Sequence, residues 1–305
     1  MGPFPSTSGG GTLGELLITD PAERLLPCGN SISPVISLVE EAGDELLGYR
    51  EKLLSHGISI EKKGDRDLVT EADKASEASL IHGLQQLFPG DSIYSEESGE
   101  VSTVGQRRWI LDPLDGTTNF AHGHPFFSIS AALWDLQGPL AAVIHAPFLG
   151  DTWWAIRGQG AWHHPVAGGV NSLQVNREED LSSALLATGF SYGRKELDHG
   201  ALDIFQGLLR EAREIRRGGS ACLDLAHTAS GVFDVFWEFR LAPHDVAAGA
   251  LLVLEAGGTV TDGLGGDDWL HGGSIVAGST GLHSEIQSRV EGVTQRLIER
   301  DGTNR

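Results

Sequence analysis

The sequence of 305 residues is poor in several residue types, and each scarcity excludes a class of protein. Its two cysteines, Cys28 and Cys222, are too few for a disulfide framework, so we expect a reduced, cytoplasmic protein. No run of 18 apolar residues occurs, so no membrane-spanning helix is expected. The 22 basic residues face 42 acidic ones, and the formal charge of −20 argues against nucleic acid or an anionic membrane as a partner.

Length and glycine content indicate a compact α/β protein of two domains. A chain of 305 residues exceeds the usual size of one domain, and its 41 glycines fit a compact α/β protein. Its start is rich in glycine, serine and proline, and Ala167-Gly168-Gly169 is the best candidate for a linker. We expect a flexible leader over residues 1–34, an N-terminal α+β domain over residues 35–168 and a C-terminal α/β domain over residues 169–305.

Hydrophobic periodicity predicts a different arrangement of helices and strands in the two halves of the chain. In the first half, residues 35–55 have helical spacing and a second helix ends near Phe88. The strands predicted after it, which indicate a meandering antiparallel sheet, are 92–95, 126–134, 140–146 and 152–156. In the second half strands alternate with helices, as in an α/β layer. The predicted strands there are 185–188, 215–217, 232–236, 259–261 and 274–277, and the helices are 201–212, 221–230, 245–256 and a last one from about 282.

The most informative stretch covers residues 109–120. An apolar segment, predicted to be a buried strand, ends on Asp112, and Asp115 follows before a glycine and two threonines that open a helix. Carboxylates hold hard cations, and the N–H groups of a helix start hold an anion such as phosphate. Pro113 has no N–H and stiffens the turn, which leaves the Leu114 carbonyl free to point inward. The stretch indicates a metal-dependent phosphatase.

Two further acids fit this chemistry. Glu96 follows a predicted strand, and Asp245 begins a predicted helix, where an acid either caps the helix or reaches a metal. Hydrolysis of a phosphate monoester requires charge neutralisation and an activated water, which two or three Mg²⁺ ions roughly 3.5–4 Å apart supply. Bound cations would also reverse the local sign of a protein whose acidity repels phosphate. We therefore predict Mg²⁺ as the cofactor, with two or three ions in each site.

Two segments resemble the signatures of the inositol monophosphatase family. Residues 112–120, Asp-Pro-Leu-Asp-Gly-Thr-Thr-Asn-Phe, are similar to the first signature. Residues 243–258, which begin Pro-His-Asp-Val-Ala-Ala-Gly, are similar to the second. The resemblance covers about residues 35–285. It implies a layered αβαβα sugar-phosphatase fold, with an antiparallel-rich sheet followed by a smaller α/β sheet, as well as inhibition by Li⁺ and a homodimer.

The resemblance also implies roles for individual residues. The matched metal ligands are Glu96, Asp112, Leu114 through its carbonyl, Asp115 and Asp245. Thr117, with Glu96, would orient the attacking water, and Asp73 would hydrogen-bond that threonine. From the residues alone, Asp73 is equally a helix-capping acid paired with Thr70. The expected substrate contacts are the N–H groups of Gly116 and Thr117, the position of Ala221 and the carboxylate of Glu238. Independently of the resemblance, a loop at the sheet edge is expected to bring Ser191 to the substrate.

One departure and three alternatives stay open. His244 stands where the second signature usually has tryptophan, and it either packs or brings a titratable group near the site. Gly189-Phe-Ser-Tyr-Gly193 matches the nucleophile elbow of serine hydrolases, with Asp245 and His271 downstream. A zinc site is a second alternative, whose candidate ligands are His122, His124, His163 and His164. A family member that binds sugar phosphates without turnover is the third alternative.

The predicted activity is hydrolysis of a small phosphate monoester by direct attack of a metal-activated water. Inositol monophosphate is the first choice of substrate, because residues 118–120 and the Ala-Ala-Gly run look more like the inositol type than the histidinol-phosphate type. The same scaffold also serves fructose 1,6-bisphosphate, nucleotide 3'(2'),5'-bisphosphates and histidinol phosphate. The expected partner is thus a small phosphorylated polyol or sugar.

Overall fold

A computed structural model describes residues 20–26, 29–56, 60–63, 67–102, 105–190 and 199–302. These ranges contain two short 3₁₀ turns, Pro21–Glu23 and Leu181–Ser183. They contain seven α-helices: α1 Ser33–His56, α2 Glu71–Leu87, α3 Thr117–Ala121, α4 His199–Glu211, α5 Ala221–Ala229, α6 Pro243–Glu255 and α7 Thr280–Gly302.

Fifteen strands occur in the same ranges. They are β1 Ile60–Lys63, β2 Asp67–Thr70, β3 Ser92–Ser95, β4 Gly99–Ser102, β5 Arg108–Asp115, β6 Ser128–Asp135, β7 Gly138–Ala146, β8 Asp151–Ile156, β9 Gly160–His164, β10 Asn171–Ser172, β11 Leu185–Thr188, β12 Glu214–Arg216, β13 Val235–Phe239, β14 Thr259–Thr261 and β15 Ser274–Gly278. β1 and β2 form a separate antiparallel hairpin.

The larger sheet has eight strands in the order β10-β9-β8-β7-β6-β5-β3-β4. Only the β3–β5 pair is parallel among them, so the sheet is a meander extended by one crossover through the loop after β4. Alternate residues of its central strands enter two different cores: Leu111 joins the cluster with α1 and α2, whereas Ile110 joins the cluster with α5 and α6. Because both faces are covered, these strands are continuously apolar.

The smaller sheet has five strands in the order β12-β11-β13-β15-β14. β11 lies parallel to β12 and β13, while β15 pairs antiparallel with β13 and β14. Phe236 of β13 packs toward α5 and α6, and its neighbours Val235 and Trp237 pack on the other side with α7. The period of two places Glu238 on the same face as Phe236, toward the middle of the molecule.

Three cores therefore join five layers, which are α1 with α2, the large sheet, α5 with α6, the small sheet, and α4 with α7; the core around α5 and α6 fills both inner interfaces. The predicted αβαβα fold is confirmed. The middle layer fits tightly, because Gly249 of α6 lies against Leu225 of α5, where any side chain at residue 249 would collide. The predicted domain boundaries stay a prediction, and the core around α5 and α6 takes residues from both halves of the chain.

Several local predictions differ from the structure. The strand predicted at 232–236 is β13 at Val235–Phe239, because residues 232 and 233 close the turn after α5 through N–H bonds to His227. The end of the predicted leader is packed, since Leu26 and Ile32 are buried against α1. The strands β2, β4, β9 and β10 were not predicted. No helix among the described residues is both long and apolar enough to cross a membrane.

Candidate active site

A β-bulge in β5 places Asp112 and Asp115 on one face of the large sheet. Asp112 lies opposite Ser130 of β6 and Asp115 lies opposite Ser128, so three steps on β5 match two steps on β6. In a regular strand, residues three apart would face opposite sides. The extra residue of the bulge brings both side chains to the same face of the sheet. Pro113, which has no N–H, is tolerated there because the bulge does not require a backbone hydrogen bond to β6 at that position. The strand predicted to end at Asp112 therefore continues to Asp115.

The backbone of the bulge is fixed from both sides. The hydroxyl of Ser76 on α2 donates to the Pro113 carbonyl at 2.9 Å, and the Leu114 N–H donates to Asp112 Oδ1 at 3.1 Å. The Thr117 hydroxyl donates to the Leu114 carbonyl at 3.0 Å. A carbonyl oxygen has two lone pairs, so the Leu114 oxygen keeps one for a further partner. Gly116 follows with φ near 90°, a conformation that favours glycine.

Asp115 is held by the start of α5. Its Oδ2 accepts hydrogen bonds from the Ser220 hydroxyl at 2.5 Å and from the Cys222 N–H at 2.8 Å. Ser220 also caps α5, since its oxygen accepts the Leu223 N–H at 3.2 Å. One serine thus joins the middle helical layer to the bulge. This role of Ser220 was not predicted, although a serine directly before a helix is a recognisable cap.

Asp245 lies at the start of α6 and has two roles. Its Oδ2 accepts the Ala242 N–H at 2.6 Å, which caps the helix. A carboxylate has a second oxygen, and Asp245 also supplies one ligand atom to a group with Asp112 and Asp115 in which all ligand atoms lie within 4.8 Å of one another. The alternatives of cap and cluster are both realised.

Glu96 completes a second group around the same aspartate. Its backbone N–H donates to the Leu111 carbonyl at 3.2 Å, which extends the parallel β3–β5 pairing and brings it beside Asp112. Glu96, Asp112 and His244 offer three ligand atoms within 4.8 Å of one another. Asp112 therefore belongs to two adjacent groups of three donors.

Crowding of these acids changes their protonation. Burial raises the pKa of Asp112 well above its usual value, and the charges of Glu96, Asp115, Asp245 and Asp73 raise it further. Burial also raises the pKa of Asp115 to about 6 against the hydrogen bond from Ser220, and burial raises that of Asp245 to about 6. Without a cation, the cluster holds its negative charge only at a cost in free energy.

Asp73 is the third residue of α2 and is buried. It offers an oxygen to a group with Glu96 and Glu97 whose ligand atoms lie within 4.8 Å of one another. The side chain of Thr70, the predicted capping partner, lies outside the described residues. Asp73 thus stands on the Glu96 side of the cluster, and its predicted bond to Thr117 stays a prediction.

A pocket of about 170 Å³ opens over the acids. The predicted residues Gly116, Thr117, Ala221 and Glu238 line it together with the cluster. Burial raises the pKa of Glu238 well above its usual value, as do Asp245 and Asp224, while Arg217 lowers it. Gly189 packs on the Glu238 carboxylate so closely that a Cβ would collide with it.

Arg217 was not predicted, although it lines this pocket and donates to the Phe190 carbonyl at 3.4 Å. Its only signal in the sequence is an Arg-Arg pair before two glycines in a chain poor in basic residues. Ser191 lies outside the described residues. His271, the candidate base of the serine hydrolase alternative, lies in a separate pocket with Arg107 and Trp134. His163, considered for zinc, stacks on Trp153 at 4.7 Å between ring centroids.

Comparison with known proteins agrees with this arrangement. A model of the inositol monophosphatase family matches residues 31–295. The chain is 42% identical over 240 residues to the Nus factor SuhB of Pseudomonas aeruginosa, which covers 77% of this chain and 86% of that protein. The solved extragenic suppressor protein SuhB of Bartonella henselae superposes with a TM-score of 0.79 at 33% identity, over 85% of this chain and 98% of that one. The IMPase of Thermotoga maritima has a TM-score of 0.76 at 31% identity, over 87% and 98%. The chain belongs to the inositol monophosphatase family, whose fold supports phosphatase activity.

Proposed function

We propose that the protein is a Mg²⁺-dependent phosphatase of small phosphate monoesters, with inositol monophosphate as the first candidate substrate. One observation carries the proposal: Asp112 is shared by two adjacent groups of three donors at the floor of one pocket. Two neighbouring cation sites that share a carboxylate are the arrangement needed to hold both the attacking and the leaving oxygen of a phosphate ester.

The donor set fits Mg²⁺. In the two groups of donors every ligand except His244 is a carboxylate, the Leu114 carbonyl lies in the same pocket, and oxygen is the ligand that this ion prefers. Burial and then the neighbouring acids raise the pKa of the Asp112 carboxyl, so its charged form is unfavourable without a cation, which supports the proposal of a metal site. Glu96, Asp112, the Leu114 carbonyl, Asp115 and Asp245 would hold the ions.

When bound, the ions neutralise the phosphate charge and lower the pKa of water. The chain supplies position and proton transfer. The Thr117 hydroxyl, held by the Leu114 carbonyl, and the Glu96 carboxylate would orient the attacking water, with Asp73 beside Glu96 as a supporting acid. The N–H groups of Gly116 and Thr117 open a helix of only five residues, so they would bind phosphate oxygens as local donors rather than through a long helix dipole.

The alcohol side of the substrate would meet Glu238, Ala221 and Arg217. A carboxyl group with a raised pKa both donates and accepts hydrogen bonds, which suits the hydroxyls of a polyol. The small side chain of Ala221 leaves space beside the phosphate. From the family resemblance we extend the proposal to inhibition by Li⁺ and a homodimer. From the sequence itself we add a cytoplasmic location, because cysteines are few, and a substrate contact by Ser191.

Phosphate release from four substrates tests the proposal. Inositol 1-phosphate, fructose 1,6-bisphosphate, a nucleotide 3',5'-bisphosphate and histidinol phosphate are compared at equal Mg²⁺, with EDTA as the blank. We expect Glu96→Gln and Asp112→Asn to lower kcat by about a thousandfold or more, since each removes a charge that acts on the reacting centre. Asp135→Asn, a change at a surface ion pair, is the control and keeps full activity. If both site variants keep their activity, the mechanism is refuted. If kcat/KM for another substrate exceeds that for inositol 1-phosphate by about tenfold, that substrate becomes the first candidate.

The name of the Pseudomonas aeruginosa relative, Nus factor SuhB, supports a second candidate, a Nus-factor role, which we infer to depend on binding. The two candidates differ in what Asp112→Asn does. A phosphatase role is lost with this variant, whereas a purely binding role survives it. Complementation of a strain lacking its own SuhB by wild type and by the variant separates them.

A further inference from the structure

His244 occupies the position before Asp245 at which the family signature usually has tryptophan. It is the second residue of α6, and its side chain is 12% exposed. The ring stacks on Tyr94 of β3, with centroids 6.4 Å apart and planes inclined by 22°. Its carbonyl oxygen accepts the hydroxyl of Ser130 at 3.5 Å. The ring is thus held from the large sheet, at the rim of the acidic pocket.

The imidazole nitrogen faces the acids. Nε2 lies 3.9 Å from Glu96 Oε1 and 4.0 Å from Asp245 Oδ1. Ligand bonds of about 2.1 Å place two donors of one ion roughly 3 to 4.2 Å apart, so both distances allow a shared cation. Asp112, buried in the same group, offers the third atom.

We propose that His244 is a nitrogen ligand, with Glu96 and Asp112, of one of the cations at this site. The inference rests on the proposed metal-binding function and deepens it. An imidazole donor favours Mn²⁺, Co²⁺ and Zn²⁺ over Mg²⁺, which prefers oxygen. The site would therefore pair one cation bound by oxygen alone, at Asp115 and Asp245, with a second one that accepts nitrogen. His244 would therefore change which metal ion the site prefers, while the reaction stays the same.

The alternative is that the same ring only forms an ion pair with the two carboxylates. Mn²⁺ separates the two arrangements, because ¹⁴N coupling in its electron spin echo spectrum requires a nitrogen bonded to the ion. The full chain is stripped with EDTA and loaded with Mn²⁺. We expect ¹⁴N coupling in the wild type and in His122→Gln, which changes an exposed histidine. Coupling is lost in His244→Gln and in His244→Trp.

Zn²⁺ affinity gives a second readout, by competition with a chelator. His244→Gln should weaken Zn²⁺ binding by about tenfold or more, as losses around metal sites do, while Mg²⁺ affinity changes much less. Bound Mn²⁺ without ¹⁴N coupling in the wild type overturns the inference and leaves the phosphatase proposal intact. Failure of any divalent ion to bind overturns both. The wild-type spectrum decides the question even if a variant does not fold.

Discussion

Replacing Asp112 by asparagine is expected to stabilise the metal-free protein at neutral pH while it abolishes function. Burial, followed by the charges of Glu96, Asp115, Asp245 and Asp73, raises the pKa of Asp112 in the folded state. A carboxyl group of this kind favours folding while it is protonated, and that contribution is lost as the pH rises through its folded pKa. Asparagine has nearly the same shape, carries no charge and can still accept the Leu114 N–H.

Asp115 gives the scale of the effect. Its pKa rises from 3.8 to about 6, chiefly by burial. An increase of about two pH units corresponds to about 3 kcal/mol of stability lost at neutral pH. Asp112 is subject to the same kind of burial penalty, with repulsion from neighbouring acids added, so neutralising it should raise the free energy of unfolding by about 1 to 3 kcal/mol. For a chain of 305 residues the melting temperature should rise by roughly 1.5–2 °C for each kcal/mol.

The assay is thermal unfolding in EDTA from pH 4.5 to 8, for the wild type and for Asp112→Asn. Buried histidines act in the opposite direction: burial lowers the pKa of His145, His227 and His283, so their contribution to stability is lost as the pH falls below their usual value. Both proteins share this slope, and the difference between them isolates the acids. The difference in melting temperature between Asp112→Asn and the wild type should be largest near pH 8 and should disappear toward pH 4.5.

Mg²⁺ should reverse the order of stability. An ion at about 100 times its Kd stabilises the wild type by about 2.7 kcal/mol, whereas the variant has lost a shared ligand. Asp135→Asn is the matched control: the hydrogen bond from Arg157 lowers the pKa of Asp135, so its neutralisation should cost up to about 1 kcal/mol and leave the Mg²⁺ effect unchanged. A lower melting temperature of Asp112→Asn in EDTA at pH 8, or a gap that does not vary with pH, would refute the reasoning.

Three other substitutions have defined outcomes. Gly189→Ala places a methyl group on the Glu238 carboxylate, so KM for the polyol substrate should rise by about tenfold or more in steady-state assays; an unchanged KM speaks against that contact. Ser220→Ala removes the bond to Asp115 and the cap of α5, and denaturant titration should show a loss of about 1–2 kcal/mol that Ser220→Thr largely restores. Gly249→Ala improves helix propensity by about 1 kcal/mol but collides with Leu225, so we expect a net loss of about 1–2 kcal/mol, and a gain would show that α5 and α6 can separate.

Periodicity predicts most of the helices and strands, whereas the layered αβαβα arrangement was implied only by the family resemblance. The apolar strands of the first half do not say which faces of the sheet are covered; the structure does, since Ile110 and Leu111 alternate between two cores. The position of β13 was hidden because residues 232–236 and 235–239 each contain four apolar residues and one acid, Asp234 or Glu238, so composition does not distinguish them. The carboxyl group of Glu238 is tolerated in a buried strand because it lines the pocket.

The spacing in the sequence could not predict that the two aspartates of β5 lie on the same face of the sheet. Asp112 and Asp115 are three residues apart, and a strand would send them to opposite faces. Only the pairing with Ser130 and Ser128 reveals the bulge that reunites them. The contribution of Arg217 was equally hidden, because it depends on the packing of the segment before α5 against the small sheet. Such relations across layers leave no local pattern in the sequence.

The site acids look like ordinary turn and cap residues in the sequence because that is also what they are. Asp245 accepts the Ala242 N–H through Oδ2 while its Oδ1 faces His244, and Asp115 anchors the start of α5 through Oδ2. Asp112 accepts the Leu114 N–H within the bulge. A carboxylate has two oxygens, so one can be fixed by a backbone N–H while the other meets a ligand. The local bond orients the acid before any cation arrives, and the capping role is thus a condition of the binding role rather than an alternative to it.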